Sequence, residues 1–277
     1  MAKRPTIAIQ GIRASFHDEA ARAYFGENIN TVECMTFKRM FEEMKHEKAD
    51  YIVMAIENSI AGSLLPNYSL LQDYNFPIIG EIFLPIQLHL LALPGVRFEE
   101  VKFVQSHPIA IRQCEEFLQD LQGITILEKS DTAACAKEIQ DLQLKDTVAI
   151  ANLTAAKAYG LEVMERRIES NKKNYTRFLV IAREYEDVKN TDKASICFRV
   201  NNKPGSLAKV LTTFAQYKIN LSKIQSMPVL GKPNEYNFYC DLEWTEPEAY
   251  ELSLRKILKL THNLSVMGEY RSNDSRK

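Results

Sequence analysis

Short apolar runs alternate with amphipathic helical patterns through the first 183 residues of the chain. This alternation predicts an α/β fold, in which crossover helices join the strands of a sheet. The predicted strands are Thr6–Gln10, Tyr51–Ile56, Phe103–Gln105, Thr125–Leu127, Thr147–Ala151 and Arg177–Ala182, with a longer β stretch at Pro77–Leu93. The predicted helices are Ser15–Phe25, Phe37–His46, Pro108–Leu121, Thr132–Gln140 and Thr154–Tyr159.

The pattern changes after residues 184–192, which are almost wholly polar, have no hydrophobic period and therefore predict a linker. Beyond the linker, strands and helices follow one another as βαββαβ, which is the ferredoxin-like plan. The predicted strands are Lys193–Val200, Asn220–Val229, Tyr236–Trp244 and Leu264–Arg271, and the predicted helices are Ser206–Tyr217 and Pro247–Leu260. We therefore expect two domains, at 1–183 and 193–277, with a frayed tail at 272–277.

The composition is that of an ordinary globular protein, with 45% hydrophobic and 26% charged residues among 277. A formal net charge of -1 gives no indication of nucleic acid or of an acidic membrane surface as a partner. The most apolar stretch, 82–96, is interrupted by Gln87, His89 and two prolines, which argues against a membrane span, and the N-terminus lacks a signal-peptide pattern. The five cysteines are odd in number and lack metal-type spacing. Buried reduced thiols and a cytoplasmic location are therefore expected.

Four clusters of polar residues follow predicted strands where a helix or turn begins. They are Gly11–Ser15, Glu57–Ser63, Ser106–Pro108 and Ser130–Thr132. Serine, aspartate and asparagine at a helix start often act only as caps. In open α/β sheets, however, ligands bind at the carboxyl ends of strands, and free helix N-terminal amides favour anions. The clusters together therefore predict a site for a small dianionic metabolite.

A fifth cluster, Asn174–Phe178, places a hydroxyl and a guanidinium where a loop enters a buried strand. The chain has no Gly-x-Gly-x-x-Gly run and no phosphate-binding lysine loop, which disfavours dinucleotides and nucleoside triphosphates. It also has no histidine, cysteine or aspartate spacing of a metal site. We therefore expect neither a cofactor nor a metal.

With their neighbours, these clusters resemble the motifs of the prephenate dehydratase family. The matching segments are Gly11…Ala14-Ser15-Phe16, Ile56-Glu57-Asn58-Ser59, Ser106-His107-Pro108…Gln113-Cys114, Asp131-Thr132 and Asn174…Thr176-Arg177-Phe178, in the family's order and spacing. The C-terminal segments Pro204–Leu207 and Asn220–Ile224 resemble the ACT regulatory domain that these enzymes carry. The resemblance covers essentially the whole chain.

The resemblance implies decarboxylating dehydration of prephenate to phenylpyruvate, carbon dioxide and water in phenylalanine biosynthesis. It also implies a two-lobed, periplasmic-binding-protein-like catalytic domain, with lobe 1 at about 1–80 and 172–183 and lobe 2 at about 81–171. The first strand begins at Thr6, which leaves no room for the chorismate mutase of some relatives, so a monofunctional enzyme is expected. Prephenate is the expected substrate, phenylalanine the expected effector, and a homodimer or homotetramer the expected assembly.

The family also implies roles for individual residues. Thr176 is expected to donate a hydrogen bond to the leaving hydroxyl, alone or as one member of a relay, and Arg177 to hold the pyruvyl carboxylate or brace its loop. On the residues alone, His107, which precedes Pro108, is either a general acid or a cap or loop brace, and strand alternation places Phe178 in the core. His17, His46, His89 and His262 receive no functional role. The expected catalytic residues are Thr176, Asn58, Ser59 and Gln113, and the expected substrate-binding residues are Ser106, Arg177, Glu57, Ser15 and Thr132.

The ACT resemblance places an amino-acid pocket near the start of the second domain's first helix and its second strand. Its expected residues are Gly205, Ser206, Leu207, Ala208, Asn220, Leu221, Gln225 and Ser226. Where the family typically has Glu-Ser-Arg-Pro, this chain has Gln225-Ser226-Met227-Pro228. Two charges are therefore missing from the pocket wall, which predicts weaker phenylalanine binding. A domain that only dimerises is the alternative.

Two other functions remain open on the sequence. Arogenate dehydratase acts on the amino analogue of prephenate, and no residue distinguishes the two substrates. A non-catalytic ligand sensor on the same lobes belongs to a different class, although Thr176 with Asn58 argues against it. A phenylpyruvate assay discriminates these readings.

Overall fold

The computed structural model describes residues 4–273, which form three β-sheets with associated helices. The strands are β1 (Thr6–Gln10), β2 (Asn30–Cys34), β3 (Tyr51–Asn58), β4 (Gly62–Ser63), β5 (Ile78–Pro85), β6 (His89–Ala92), β7 (Phe103–Ser106), β8 (Thr125–Glu128), β9 (Thr147–Ala151), β10 (Glu162–Glu165), β11 (Tyr175–Ala182), β12 (Lys193–Arg199), β13 (Asn220–Pro228), β14 (Tyr236–Glu243) and β15 (His262–Tyr270). The α-helices are α1 (Phe16–Phe25), α2 (Phe37–Lys45), α3 (Leu65–Tyr74), α4 (Pro108–Gln113), α5 (Glu115–Gln119), α6 (Thr132–Leu142), α7 (Leu153–Ala158), α8 (Ser206–Gln216) and α9 (Pro247–Ile257), and a 3-10 helix spans Phe98–Glu100.

The first two sheets form the α/β part of the molecule. The first has the strand order β2-β1-β3-β11-β5, with β4 paired to β3, and the second has the order β10-β6-β9-β7-β8. Strand β1 runs parallel to both β2 and β3, and β7 runs parallel to both β8 and β9. Because parallel neighbours need a crossover, the intervening helices follow from this order. The two-lobed, periplasmic-binding-protein-like α/β fold predicted from the sequence is confirmed.

Small side chains build the core of the second sheet. Ala133, Ala136 and Ile139 on α6 pack with Ala149 and Ala151 on β9, and all five are fully buried. Alanine lets a helix approach a sheet closely, so the alanine-rich sequence of α6 fits this position.

The third sheet is antiparallel, in the order β13-β14-β12-β15, and with α8 and α9 it forms the predicted ferredoxin-like βαββαβ domain. Its hydrophobic core includes Ile196 and Phe198 from β12 and Val210 and Phe214 from α8. The periods of two and 3.6 in the sequence thus place apolar side chains on the sheet face and helix face that meet.

By contacts, the chain divides into two units. The first comprises the chain up to Leu64 together with Ile82–Phe178, and the second comprises Leu65–Glu81 together with the chain from Leu179 onward. Within the second unit, Gln72 on α3 accepts hydrogen bonds from Asn237 Nδ2 at 2.8 Å and from Tyr239 Oη at 3.0 Å. The segment 65–81 is therefore tied by polar side chains to the C-terminal sheet.

A glycine permits one close approach in the second unit. A Cβ atom on Gly268 would overlap the carbonyl group of Ile78. Gly268 lies on β15 and Ile78 begins β5, so the two backbones meet where only a glycine fits.

Several elements differ from the sequence predictions. Strands β2 and β10 and helix α3 were not predicted, the stretch 77–93 is divided into β5 and β6, and the helix predicted at 108–121 is interrupted. The interruption falls at Cys114, whose φ of -110° and ψ of 19° end α4 and begin α5. A continuous apolar stripe cannot reveal such a break, because the side chains on both sides of it remain inward.

All five cysteines are buried and free, as expected from their apolar context. Within residues 4–273, no helix has the length and apolar character needed to cross a membrane. Of the predicted frayed tail, residues 274–277 lie outside the described part of the chain, as do residues 1–3 of the N-terminus.

Candidate active site

A cavity of about 410 Å³ in the first unit brings several of the predicted site residues together. Predicted residues that line it are Ser15, Asn58, Gln113, Thr132 and Thr176. Gln10 ends β1 and Asn58 ends β3, so the cavity lies at the carboxyl ends of strands, where ligands of α/β folds bind. The wall also has a large apolar part, formed by Phe16, Phe37, Ile86, Leu88 and Phe178.

The side chain of Asn58 organises the polar wall. Its Oδ1 accepts hydrogen bonds from the backbone amides of Ile60 at 3.0 Å and Ala61 at 2.8 Å. Because a backbone N–H group can only donate, these two bonds identify the Asn58 oxygen and therefore fix the orientation of its side-chain amide. Its Nδ2 then donates to Thr176 Oγ1 at 3.0 Å and to Asn174 Oδ1 at 2.8 Å.

Thr176 consequently has its proton available for a ligand. Its Oγ1 accepts from Asn58 Nδ2 at 3.0 Å, so one lone pair is occupied by a donor. A hydroxyl carries one proton, and the Thr176 hydroxyl donates to no group in residues 4–273. The geometry therefore fits a hydrogen-bond donor that acts on a group inside the cavity.

Gln113 and Asn174 complete the polar network. Asn174 Nδ2 donates to Gln113 Oε1 at 3.0 Å, and Gln113 Nε2 lies 3.4 Å from Asn58 Oδ1. The three amides thus hold one another although they come from β3, the end of α4 and the segment before β11. Asn174 stood in the sequence motif without a role; its partnership with Gln113, 61 residues away, is visible only in the structure.

Four predicted site residues are not among those that line the cavity. Ser59 Oγ donates to Lys173 O at 3.2 Å and accepts from Tyr175 N at 3.0 Å, so it braces the turn after β3. Ser106 is fully buried, and its Oγ donates to Ile150 O at 2.7 Å. Glu57 precedes Asn58 on β3, where it pairs in register with Ser63.

Arg177 is the fourth. It lies on β11 between Thr176 and Phe178, which both line the cavity, so strand alternation directs Arg177 to the other face. It is buried, and its guanidinium carbon lies 5.9 Å from the centroid of the Phe83 ring. Among the described lining residues there is no lysine and no arginine.

The starts of two helices face the cavity in place of a cation. Ser15 caps α1 by accepting from Asp18 N at 3.3 Å, and Asp131 caps α6 by accepting from Ala134 N at 2.7 Å. Gly11 allows Asp131 to come close, because a Cβ atom there would overlap the Asp131 carboxylate. The φ angle of Gly11, 89°, also lies in the region that favours glycine. The start of α1, capped by a neutral hydroxyl, offers partial positive charge to an anion, whereas the Asp131 carboxylate already occupies the start of α6.

Burial changes the proton affinity of the acidic and basic groups in the wall. It raises the pKa of the Asp131 carboxyl, although hydrogen bonds from the Ala134 and Ala133 amides partly oppose this shift. Burial lowers the pKa of His107, whose Nδ1 accepts from Ile109 N at 3.2 Å. Burial also lowers the pKa of His17 to about 3. His17 was not predicted as a site residue, and Asp131 was predicted only as a member of the cluster Ser130–Thr132, without a role of its own.

Comparison with known proteins identifies the family. The prephenate dehydratase family model matches residues 7–186, and the ACT domain model matches residues 195–243. A bifunctional chorismate mutase/prephenate dehydratase of Aquifex aeolicus is 36% identical over 97% of this chain and 74% of its own length. Arogenate dehydratase/prephenate dehydratase 2, chloroplastic, of Arabidopsis thaliana is 37% identical over 96% of this chain and 73% of its own.

Two solved structures are similar to this chain over nearly its whole length. Prephenate dehydratase of Arthrobacter aurescens in complex with L-Phe is 25% identical, with a TM-score of 0.85 over 96% of this chain and 89% of that one. GqqA, described as a novel type of quorum quenching acylase, is 27% identical, with a TM-score of 0.88 over 98% of this chain and 100% of that one. Together with the two-lobed fold and the Asn58–Thr176 site, the family match leads to one conclusion: this chain belongs to the prephenate dehydratase family.

Proposed function

We propose that the chain converts prephenate to phenylpyruvate, carbon dioxide and water, as a step of phenylalanine biosynthesis. The observation that carries the proposal is the hydrogen bond from Asn58 Nδ2 to Thr176 Oγ1, at 3.0 Å, which leaves the Thr176 proton for a ligand. The cytoplasmic location and the absence of a cofactor stay predictions, and some plant relatives are named as chloroplastic.

The reaction needs catalysis mainly at the oxygen of the ring hydroxyl, which is the leaving group. As the bond between the ring and its carboxylate breaks, the electron pair moves through the ring diene, and the C–O bond to the ring hydroxyl breaks. The hydroxyl leaves with a proton as water, and the ring becomes aromatic. Hydroxide is a poor leaving group, so a hydrogen-bond donor placed at this oxygen lowers the barrier. Thr176, held by Asn58, is the donor in this proposal, alone or as part of a relay.

The wall around the departing carboxylate should not carry a cation. A positive charge there would stabilise the carboxylate before it loses its charge, and this would oppose the reaction. The described lining, with apolar rings such as Phe16, Phe37 and Phe178 and no lysine or arginine, fits this requirement. We infer that Arg177 braces β11 from the opposite face, and that Ser15 and Thr132, at the starts of α1 and α6, help to bind a substrate carboxylate.

The other predicted residues receive supporting roles. Gln113 accepts a hydrogen bond from Asn174, and its own amide approaches Asn58. These contacts keep the Asn58 amide in the position from which it donates to Thr176. Ser59 and Ser106 have backbone partners for their hydroxyls, so we infer that they shape the site without touching the substrate. For Glu57 we infer the orienting role that its position beside Asn58 supports.

We also propose phenylalanine as the effector, bound by the ACT domain. The match to the ACT model and the L-Phe complex of the Arthrobacter aurescens relative support this. The proposed pocket includes Gly205, whose φ of 80° opens the start of α8, with Ser206, Leu207 and Ala208. Its other proposed residues, on β13, are Asn220, Leu221, Gln225 and Ser226.

Strand β13 supports the proposal of a homodimer or homotetramer. It forms one edge of the third sheet, and alternate residues along its nine-residue length are exposed. Ile224 is among them and is 45% exposed. An exposed apolar side chain on an edge strand fits contact with a partner subunit. A long exposed edge is a ready template for pairing with a second copy.

Acylase activity, which the description of GqqA suggests, is less well supported. An acyl transfer needs a nucleophile whose proton is taken by a neighbouring base. In this cavity the hydrogen-bond partner of Thr176 is Asn58 Nδ2, which is a donor and cannot accept a proton. The same site fits donation from Thr176 to a leaving oxygen.

The test is a phenylpyruvate assay with purified protein, supplied separately with prephenate and with arogenate and without added metal or nucleotide. Formation of phenylpyruvate from prephenate supports the proposal. If the protein forms phenylalanine from arogenate but does not convert prephenate, it is an arogenate dehydratase instead. A folded sample that converts neither substrate would support a ligand sensor. Adding phenylalanine to the assay tests the effector.

A further inference from the structure

His17 is a cavity residue whose ring is fixed on three sides. Its Nε2 accepts a hydrogen bond from the backbone amide of Ala55 at 3.3 Å. The rings of Phe178 and Phe37 lie 5.0 Å and 5.6 Å away, measured between centroids, with the Phe178 ring edge-on. All of these residues line the cavity, and His17 is only 8% exposed. The imidazole therefore has one defined orientation in the wall.

The hydrogen bond from Ala55 also fixes the tautomer of this ring. To accept from an amide, Nε2 must keep its lone pair, so the proton of the neutral imidazole lies on Nδ1. Burial lowers the pKa of His17 to about 3, which keeps the ring neutral near physiological pH. Within the described chain, Nδ1 has no hydrogen-bond partner.

His107 is a second lining histidine whose Nδ1 accepts a backbone amide, from Ile109 at 3.2 Å, so its Nε2 is also a neutral donor. The other polar groups of the wall that were described above differ from His17. The amides of Asn58, Asn174 and Gln113 are bound to one another, and Asp131 presents a carboxylate. The Nδ1–H of His17 carries no charge and belongs to a ring with no freedom to reorient. It cannot become an acceptor unless the ring gives up its bond to Ala55.

We propose that His17 is a substrate-binding residue, whose Nδ1–H donates a hydrogen bond to the keto oxygen of the substrate side chain and thereby favours an oxo acid over an amino acid. This rests on the proposed function, because it concerns the choice between prephenate and arogenate in the same cavity. An ammonium group in place of the oxygen would bring two donors together, and one donor would stay unsatisfied. Buried donors left without an acceptor discriminate strongly between ligands.

The first test observes the donor itself, without catalysis. In protein labelled with ¹⁵N in histidine, the His17 ring is expected to give the spectrum of the Nδ1–H tautomer. Saturation with phenylpyruvate, the product of the proposed reaction, should shift its Nδ1–H resonance downfield. His89 is the matched internal control, since it is also buried and accepts from the backbone amide of Arg167 at 3.2 Å, through Nδ1, and does not line the cavity. A His17 resonance that stays in place under saturating ligand overturns the proposal.

The second test compares His17→Leu with His89→Leu. Each substitution removes an imidazole that accepts one backbone amide, so each has a similar structural effect. His17→Leu is expected to reduce kcat/KM for prephenate by about tenfold to hundredfold and to reduce the preference for prephenate over arogenate. His89→Leu should leave that preference unchanged.

The outcomes separate the two proposals. A wild-type protein that makes no phenylpyruvate contradicts the proposed function. An active wild type with a folded His17→Leu variant of unchanged kcat/KM for both substrates contradicts the role of His17 alone. If His17→Leu does not fold, the resonance of His17 in the unaltered chain decides.

Discussion

Lys193 Nζ lies 2.9 Å from Glu81 Oε1, although 112 residues separate them in the chain. Their side chains are 3% and 0% exposed, and Glu243 Oε1 also lies 3.3 Å from the ammonium. The pair therefore joins β5 to the start of β12 inside the second unit. Buried charges of this kind hold a structure together because neither can be left without its partner.

Lys193→Met should reduce the free energy of unfolding by about 3–5 kcal/mol, because it leaves the Glu81 carboxylate buried without its ammonium. Denaturation by urea, followed by circular dichroism, measures this. Arg255→Met is the control, since Arg255 and Glu251 form an exposed pair at 3.3 Å whose loss should cost about 0.5 kcal/mol or less. Equal losses for the two variants would contradict a special role for the buried pair.

Thr176→Val should lower kcat by about 10²–10³-fold with a much smaller change in KM, because the hydroxyl contact strengthens as the leaving oxygen gains charge. Steady-state kinetics with prephenate give both constants. Thr213→Val is matched to it: Thr213 is also buried, but its hydroxyl bonds to Lys209 O on α8. A Thr176→Val enzyme with nearly normal kcat would remove Thr176 from the mechanism.

Asn58→Asp keeps an acceptor for the amides of Ile60 and Ala61 but loses the donor to Thr176. The new carboxylate would attract the Thr176 proton away from the cavity, so kcat should fall about as far as in Thr176→Val, by about 10²–10³-fold. Asn152→Asp is a comparable change outside the cavity lining, because Asn152 caps α7 and donates to Glu19 at 2.8 Å. Near-normal turnover by a folded Asn58→Asp enzyme would be incompatible with the proposed network.

The pH dependence of stability should reflect His17. Its pKa is about 3 in the folded chain against an ordinary value of 6.5, so between these values only the unfolded chain binds a proton. The stabilisation that depends on the neutral ring is therefore complete above pH 6.5 and is lost as the pH falls towards 3. The slope from this residue is about 1.4 kcal/mol per pH unit. Urea unfolding across that window should give a flatter profile for His17→Leu than for wild type; parallel profiles would contradict this assignment.

Phenylalanine binding should depend on the first turn of α8. Ala208 and Ala215 are both exposed alanines, one in the first turn and one in the last turn of that helix. Ala208→Trp should abolish the heat of phenylalanine binding to the full chain, because the indole would fill the proposed pocket. Ala215→Trp should bind as wild type does. If both variants bind equally, the effector site lies elsewhere.

Much of the fold could be read from hydrophobic periodicity, and the misses have physical reasons. The alternating C-terminal strands were predicted because one face of their sheet is buried. Helix α3 was missed because Pro66 and Asn67 are poor helix formers and only Tyr68 and Leu71 give an apolar period. Strands β2 and β10 are short, lie at sheet edges and contain charged residues, so they lack the pattern of a buried strand.

Site residues that belong to a sequence motif could be predicted from the sequence. Residues whose role depends on a contact with a distant part of the chain could not. Thr176, Asn58 and Gln113 were proposed from the family resemblance, and the cavity brings them together. The sequence alone indicates no role for His17, because its proposed role depends on the backbone amide of Ala55, 38 residues away, which fixes its tautomer. A sequence contains the donors and acceptors but does not show which of them are already used.

The grouping of residues 65–81 with the C-terminal sheet affects how the chain can be recombined with its relatives. A chimaera joined only at the linker would combine Lys193 of one parent with the residue at position 81 of another, and would bring a foreign residue against Gly268. A chimaera should therefore fold stably only when both segments, 65–81 and 193–273, come from the same parent. The unit that must be exchanged as a whole consists of two segments that are separated in the sequence but packed together in the structure.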